Sequence, residues 1–328
     1  MSKTKEKINK KIGILHREEG PMPDRLIEEI NKKEIEGIRA EKCKISEIHP
    51  AEPCEYTVII DRASHCLPFL REYVKNALLS GCYVINNPYR FEPDKFFDYT
   101  VAKRTGINLP RTVLLPSKSY RVDPCYRPIG QEDLMNLSYP LNWDKMTSYI
   151  GFPAVLKPAL GVGWKHLTIV NNFHELIDAY DRSGHHVMIL QEKIEYQHFV
   201  RTFVLGKKYV CPVKYIPEKR EYICDHKHLG RDLGKYIVNT SIKLCKALDY
   251  DMNIVEWAIK DGTPYAIDFT DLVPDANPQS ITHFYYEWFI EHMTKVALEY
   301  ALHTPKSRCW PSINTLIGRT VEKYSNIP

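Results

Sequence analysis

The chain has 328 residues, 44% of them hydrophobic and 26% charged, with a formal net charge of +4, which excludes a disordered chain and allows two or three subdomains with cores of their own. So mild a charge makes no case for a nucleic-acid partner, and no run approaches the ~20 apolar residues that cross a bilayer, which argues against a membrane one. Nine cysteines scattered from Cys43 to Cys309 show neither CxxC pairs nor zinc-site spacing, and with no apolar leader at the start they point to a reducing, cytoplasmic location.

The lysine-rich opening, Lys3 to Lys11, reads as a solvated lead-in to a strand over 11–16, with phosphate contact as the alternative. A helix follows over 23–35, its Leu26, Ile27 and Ile30 at helical spacing. YTVIID at 56–61 is the continuous apolar run of a buried parallel strand; a helix over 67–79 and a strand over 83–86 complete a βαβ pattern. No GxGxxG follows the first strand, so the topology is Rossmann-like without a dinucleotide fingerprint. Residues 88–116 hold one helix from Pro93 to near Gly106 and a strand ending at Pro116, and the proline-rich stretch 117–140 reads as a surface excursion.

From Phe152 the pattern turns antiparallel. PAVLKPA, the turn LGVG and WKHLTIVN form a hairpin, followed by a helix over 173–182 and a buried strand over 187–192. Strands over 198–205 and 208–216 turn at Gly206-Lys207, and a helix covers 232–248. The last helix, 282–302, carries Tyr285, Trp288, Phe289 and Met293 to close the core.

Between those last two helices lies NIVEWAIKDGTPYAIDFTD, residues 253–271. A three-residue loop, Lys260-Asp261-Gly262, with Gly262 left-handed, puts Val255, Trp257 and Ile259 on one face with Tyr265, Ile267 and Phe269. Glu256 then shares the other face with Ala266, Asp268 and Thr270. With Glu256 opposite Ala266, the acids are diagonal neighbours, about 7–8 Å apart at Cα, and can converge on a hard cation such as Mg²⁺. An ordinary hairpin with a solvated polar face is the competing reading. A two-residue Asp-Gly turn would send the two acids to opposite faces and remove the metal site.

Taken in order, Lys95 in PDKFFDYTVAKRTGINLP, Lys157 in PAVLKPALGVGWKHL, Gln191 to Ile194 in MILQEKIEY, Arg201 in HFVRTFVLG and the acid hairpin resemble the ATP-grasp superfamily over about residues 80–300. The resemblance is to carboxylate–amine ligases of the glutathione synthetase and ribosomal-protein glutamate ligase type. It implies an α/β (α+β) ATP-grasp fold: an N-terminal Rossmann-like domain over 1–90, a linker helix and small lobe over 91–194, a second lobe over 195–304, and a tail over 305–328. It implies ATP and Mg²⁺, or Mn²⁺, as cofactors.

Residue by residue, the resemblance makes Lys95 and Lys157 the phosphate-contacting lysines and Gly161 and Gly163 the lid. Gln191, Glu192, Lys193 and Ile194 would form the adenine hinge, with Glu195 a candidate for the ribose hydroxyls. A lysine in the first turn of a helix is unfavourable against the macrodipole, so an anionic partner would explain Lys95; an exposed surface lysine is the alternative. LGVG alone is equally a hairpin turn, and Arg201 equally a strand-edge charge. Trp164 and Lys165 replace small residues often seen in the lid. Glu256, Asp268 and Thr270 take the metal positions, with Asp268 where Glu is commoner and Thr270 where Asn is usual. Asp271 has the wrong parity to substitute unless the strand bulges, while Asp275 and Asn277 could reach back from the next loop. Arg201 and Lys214 are the catalytic candidates, the latter in a positive stretch with Arg220, His226, His228 and Arg231 that could hold a substrate carboxylate or be a solvated loop.

The implied reaction is ATP- and Mg²⁺-dependent amide formation between a small-molecule carboxylate and an amine, amino acid or peptide, through an acyl phosphate. A catalytically weak ATP-binding regulatory module on the same fold is the alternative. The oligomeric state, a homo-oligomer included, stays unspecified.

Overall fold

The computed structural model describes residues 10–90, 94–120, 129–161, 167–225 and 227–305. The first sheet combines β1 (Lys10–Leu15), β2 (Ile38–Lys42), β3 (Val58–Asp61) and β4 (Tyr83–Ile85), all parallel, in the order β2-β1-β3-β4. Helices α1 (Met22–Asn31) and α2 (Pro68–Leu79) cover its two sides. Ile12, Ile14 and Ile60 pack with Leu26 of α1, whereas Leu15, Ile59 and Val84 pack with Val74 of α2. Burial on both faces is why the central strands read as unbroken apolar runs. Strand β2, IRAEK, has only Ala40 buried, and this edge position left no apolar run to read in the sequence.

Helix α3 (Lys95–Arg104) leads to a second, antiparallel sheet of β5 (Thr112–Leu115), β6 (Ala154–Pro158), β7 (Thr168–Val170) and β8 (Met188–Glu192), ordered β5-β8-β6-β7. Its outer face packs Leu115, Leu156 and Leu190 against α4 (Trp143–Ile150) and α5 (Phe173–Asp181). Helix α4 is not among the elements predicted from the sequence, although Asn142 caps it by accepting the Lys145 N–H at 2.9 Å.

The third sheet, β11-β10-β9-β12-β13, joins β9 (His198–Leu205), β10 (Tyr209–Ile216), β11 (Glu221–Ile223), β12 (Met252–Lys260) and β13 (Thr263–Asp271). Helix α6 (Arg231–Leu248) packs on Val200, Val204 and Trp257 of one face. Phe203, Met252 and Ile254 on the other meet α7 (Pro278–Leu302), which also reaches Ile12 and Ile60 of the first sheet in one continuous core.

The β12–β13 turn corrects the sequence expectation. Lys260 pairs with Thr263, so the loop has two residues, Asp261 (φ 48°) and Gly262 (φ 75°), both left-handed as a primed hairpin turn requires. Strict alternation from that turn would separate the two acids. Instead the register slips: Trp257 pairs with Ala266, and Glu256 with Asp268. Ile267 is the extra residue of a β-bulge, and it returns Asp268 to the face of Glu256. Ala266, not Tyr265 or Ile267, therefore joins Trp257 and Phe269 in the apolar cluster. A second slip pairs Ile254 with Asp271, which brings Asp271 to the same face as well.

Candidate active site

A cavity of about 670 Å³ opens between the second and third sheets. Val155, Lys157 and Gln191 of β6 and β8 form one wall; Phe199, Glu256, Ala258, Ile267 and Asp268 form the other. Alternation explains the lining: Leu156 and Leu190 turn outward to α4 and α5, so Val155, Lys157 and Gln191 turn inward. Of the residues singled out from the sequence, Lys95, Lys157, Gly161, Gln191, Glu192, Lys193, Ile194, Glu195, Glu256 and Asp268 all line this cavity. Leu160, Leu167 and Ile169 add apolar surface near its mouth, together with His186, which no sequence pattern singles out.

Lysine 95 opens α3 directly after its cap, Asp94, whose carboxylate accepts the Phe97 N–H at 2.9 Å. Its ammonium is buried, donating to the Gly161 carbonyl at 2.8 Å and to Thr270 Oγ1 at 2.9 Å, with Asp268 Oδ2 at 3.7 Å. The Thr270 hydroxyl in turn donates to Asp268 Oδ1 at 2.9 Å. Thr270 thus links a lysine to a carboxylate instead of presenting a free oxygen to the cavity. Burial pushes the Asp268 carboxyl up, but Lys95, Lys157 and the Thr270 hydrogen bonds outweigh it and hold it near 2.

Lysine 157 is held differently. Its Nζ donates to Tyr99 Oη at 2.8 Å and to the Ile267 carbonyl at 3.2 Å. Burial lowers its pKa, against the pull of Asp268 and Glu256.

On β9, Arg201 lies opposite Glu256 of β12 and ion-pairs with it at 3.2 Å; its other arm reaches Asp271 at 3.0 Å. The guanidinium also bonds the Tyr222 hydroxyl and sits over the rings of Tyr215 and Tyr222, 5.1 and 5.4 Å from their centroids. Burial pushes the Glu256 carboxyl up to about 7, only partly offset by Arg201. The two acids therefore differ in charge state below neutrality.

Lys214 does not join this cluster. Its neighbour Val213 pairs with Arg201, so Lys214 points from the opposite face of the sheet, where it pairs with Asp225 at 3.2 Å. The Glu192 carboxylate is engaged by Arg111 through two contacts of 3.0 Å, and Glu195 pairs with Lys193. Gly163, Trp164, Lys165 and His226 lie outside the described residues.

A second hollow of about 420 Å³ lies at the carboxyl ends of β1 and β3, lined by Arg17, Glu18, Glu19, Arg62, His65, Asp275 and others. Arg62 is buried, bonded to Glu19 at 2.7 Å and to the Pro274 carbonyl at 2.8 Å. This is the end of a parallel sheet where ligands ordinarily bind.

Sequence reasoning missed Tyr99 and Tyr222 as members of the site and admitted Asp271 only on condition that the strand bulges, which it does. Parity alone excludes Asp271, and a single bulge overturns that parity. Among the described residues, no three His, Cys, Asp or Glu side chains gather as a metal-binding group. Glu256 and Asp268, facing each other, are nevertheless the hard oxygen donors that Mg²⁺ takes in pairs, its remaining positions going to water and phosphate.

No protein-family model matches the chain. A stretch of 143 residues is 24% identical to mitochondrial pyruvate carboxylase of Mus musculus, covering 38% of this chain but 12% of that protein. Among solved structures, D-alanine–D-alanine ligase from Bacillus anthracis in complex with ATP has a TM-score of 0.57 at 16% identity, covering 90% of this chain and 97% of its own. The RimK domain ATP-grasp protein of Sphaerobacter thermophilus scores 0.61 at 14% identity over 88% of this chain and 98% of its own. The ATP-grasp ligase PsnB, solved with the precursor peptide PsnA2 and AMPPNP, scores 0.57 at 12% identity over 90% of this chain and 98% of its own.

Proposed function

Because this chain has the ATP-grasp fold, we propose that it is an ATP-dependent carboxylate–amine ligase that works through an acyl phosphate and releases ADP and phosphate. The observation that carries this reading is the charge layout of the cavity. Lys95, Lys157, Asp268 and Glu256 converge at one end, and Val155, Ile169, Ile194, Phe199 and Ala258 make the rest largely apolar. That division suits a purine ring in the apolar part and phosphates at the lysines.

Glu256 and Asp268 would hold Mg²⁺, or Mn²⁺, which when bound supplies charge neutralisation on the phosphates. Lys95 and Lys157 orient the phosphate oxygens and offset their charge. Thr270 keeps Lys95 beside Asp268, so its proper role is positioning the lysine instead of ligating metal. Arg201 and Asp271 stand on the same face, where the acid substrate would approach the transferring phosphoryl group. Oxygen of the substrate carboxylate attacks the γ-phosphorus and the bond to ADP breaks. The amine nitrogen then attacks the acyl carbon, the acyl–phosphate bond breaks, inorganic phosphate leaves, and the amine gives up a proton. Side-chain nucleophiles are not required.

The mixed charge of the second hollow suits a small acid that also carries an amine, and the solved relatives act on D-alanine or bind a peptide, so amino acids and short peptides are the substrates to try. Release of ADP is measured on adding panels of amino acids and small peptides to the wild type and to Asp268→Asn. A panel member should raise ADP release in the wild type, and D268N should lose at least about a hundredfold, as for removal of a transition-state charge contact. No release above background would favour an ATP-binding regulatory module. Equal turnover by D268N would remove Asp268 from the phosphate end of the site.

A further inference from the structure

We propose that Tyr99 is a positioning residue for Lys157: its hydroxyl, together with the bulge carbonyl of Ile267, holds that ammonium without a counter-charge so that it stays available to an anion in the cavity. The inference rests on the nucleotide reading of the cavity and deepens it.

Three cations belong to this end of the site, and two of them are committed to carboxylates. Arg201 spans Glu256 and Asp271 at 3.2 and 3.0 Å, and Lys95 has Asp268 at 3.7 Å. Around Lys157, among the described residues, no carboxylate oxygen lies within 4 Å. Two of its protons go to neutral oxygens, Tyr99 Oη and the Ile267 carbonyl. An ammonium has three donors, and this one lines the cavity. The acids facing it across the cleft, Asp268 and Glu256, act on it only from a distance.

Tyr99 is itself fixed. Its hydroxyl donates to the same Ile267 carbonyl at 2.6 Å, and its ring meets Phe269 edge-on at 5.2 Å. Nζ of Lys157 lies 5.4 Å from the Tyr99 ring centroid, out beyond the hydroxyl, so the oxygen and not the ring face meets the charge. Burial drives the phenol pKa upward, and the hydroxyl keeps its proton. One phenol oxygen therefore accepts from the lysine while donating to the carbonyl, which joins α3, β6 and the β13 bulge at a single point. An ordinary strand at Ile267 would direct its carbonyl into the ladder.

The test uses the full chain and magnesium-free ADP, with binding read by calorimetry for the wild type, Tyr99→Phe, Lys157→Met and the double variant. Y99F should bind ADP roughly threefold to tenfold more weakly, the range for one lost hydrogen bond, without a matching loss of thermal stability. In the K157M background the same change should cost nothing further, because Tyr99 acts through Lys157. Placing 3-fluorotyrosine at position 99 restores the hydroxyl and should restore binding. Its ¹⁹F resonance should also shift in K157M and on adding ADP, which keeps the proposal testable if Y99F does not fold. Unchanged binding in Y99F, an equal loss in both backgrounds, or a ¹⁹F signal indifferent to Lys157 would overturn the proposal while the nucleotide reading stands. A wild type that binds no ADP would overturn both.

Discussion

Glu256 and Asp268 stand directly opposite each other across β12 and β13, and one extra residue, Ile267, puts them there. The two-residue turn alone would pair Glu256 with Ile267 and leave Asp268 on the α6 side of the sheet. The bulge also turns a carbonyl toward Lys157 and Tyr99. Face selection and lysine support therefore come from the same backbone irregularity, and a deletion can separate them.

Removing Ile267 entirely leaves a regular ladder in which Asp268 still follows Ala266 opposite Glu256. The acids remain face to face, but the carbonyl that serves Lys157 and Tyr99 is displaced. The expected result is Mn²⁺ binding close to wild type, ADP binding weakened about tenfold, and a stability loss of about 1–3 kcal/mol from the poorly satisfied Tyr99 hydroxyl. Electron paramagnetic resonance titration of Mn²⁺ and urea unfolding measure the two separately. If Mn²⁺ binding collapses as far as in D268N, the bulge does more than set the face.

Substituting Arg201→Met leaves Glu256 and Asp271 on one face without the cation between them. Breaking a buried pair of this kind costs about 3–5 kcal/mol. The loss should be smaller at pH 6 than at pH 8, and the sign follows from Glu256. Its carboxyl is already pushed up to about 7 with Arg201 present and rises further without it. Between its ordinary value and that raised one, the folded state holds a proton that the unfolded state has released, so lowering the pH favours the variant's fold. Urea midpoints at the two pH values decide it; an equal loss at both would place the damage in packing.

Much of the site was legible because it depends on local pattern. Lys157 sits in a run whose alternation fixes its face, and Gln191 to Glu195 run off the end of a buried strand, so both fall in the cavity. Strand β9 is legible to the residue because His198–Leu205 alternates between two cores. What escaped depends on events that leave no periodic trace. A bulge needs no glycine, so nothing at Ile267 announces it, and nothing announces the second slip that turns Asp271 to the face of Glu256. Lys214 misleads because charge in a loop-rich stretch suggests a substrate site, while its face is set by pairing to a partner strand that the sequence does not display. Tyr99 looks like one more aromatic in a helix; only the tertiary arrangement puts its hydroxyl against a lysine 58 residues away.

Thr270 separates a positioning role from metal ligation. Thr270→Val keeps the shape but removes the bond from Lys95 and the bond to Asp268, at 2.9 Å each. A cost of about 1–3 kcal/mol in stability and a severalfold rise in the ATP Michaelis constant are expected, with Thr270→Ser restoring both. Mn²⁺ binding should stay within about twofold of the wild type, because the ion's carboxylates are untouched. A loss of Mn²⁺ affinity as large as that of D268N would instead make Thr270 a ligand.

Asp98 offers a test of stability away from the cavity. Its side chain is buried, accepts the Tyr250 hydroxyl at 2.7 Å and has Arg90 at 3.7 Å. Burial raises its carboxyl to about 7, more than the tyrosine and arginine can offset. From about pH 4 to pH 7 the folded state therefore keeps a proton that the unfolded state loses, and stability from this group falls as the pH rises through that window. At about 1.4 kcal/mol for each pH unit of that window, the fall amounts to a few kcal/mol. Asp98→Asn carries no such titration, and its amide oxygen can still accept from Tyr250. The variant should gain on the wild type steadily between about pH 4 and 7, and the difference should level off above about pH 8. Urea unfolding of both proteins across that range gives the difference directly, and parallel curves would mean that Asp98 is ionised throughout.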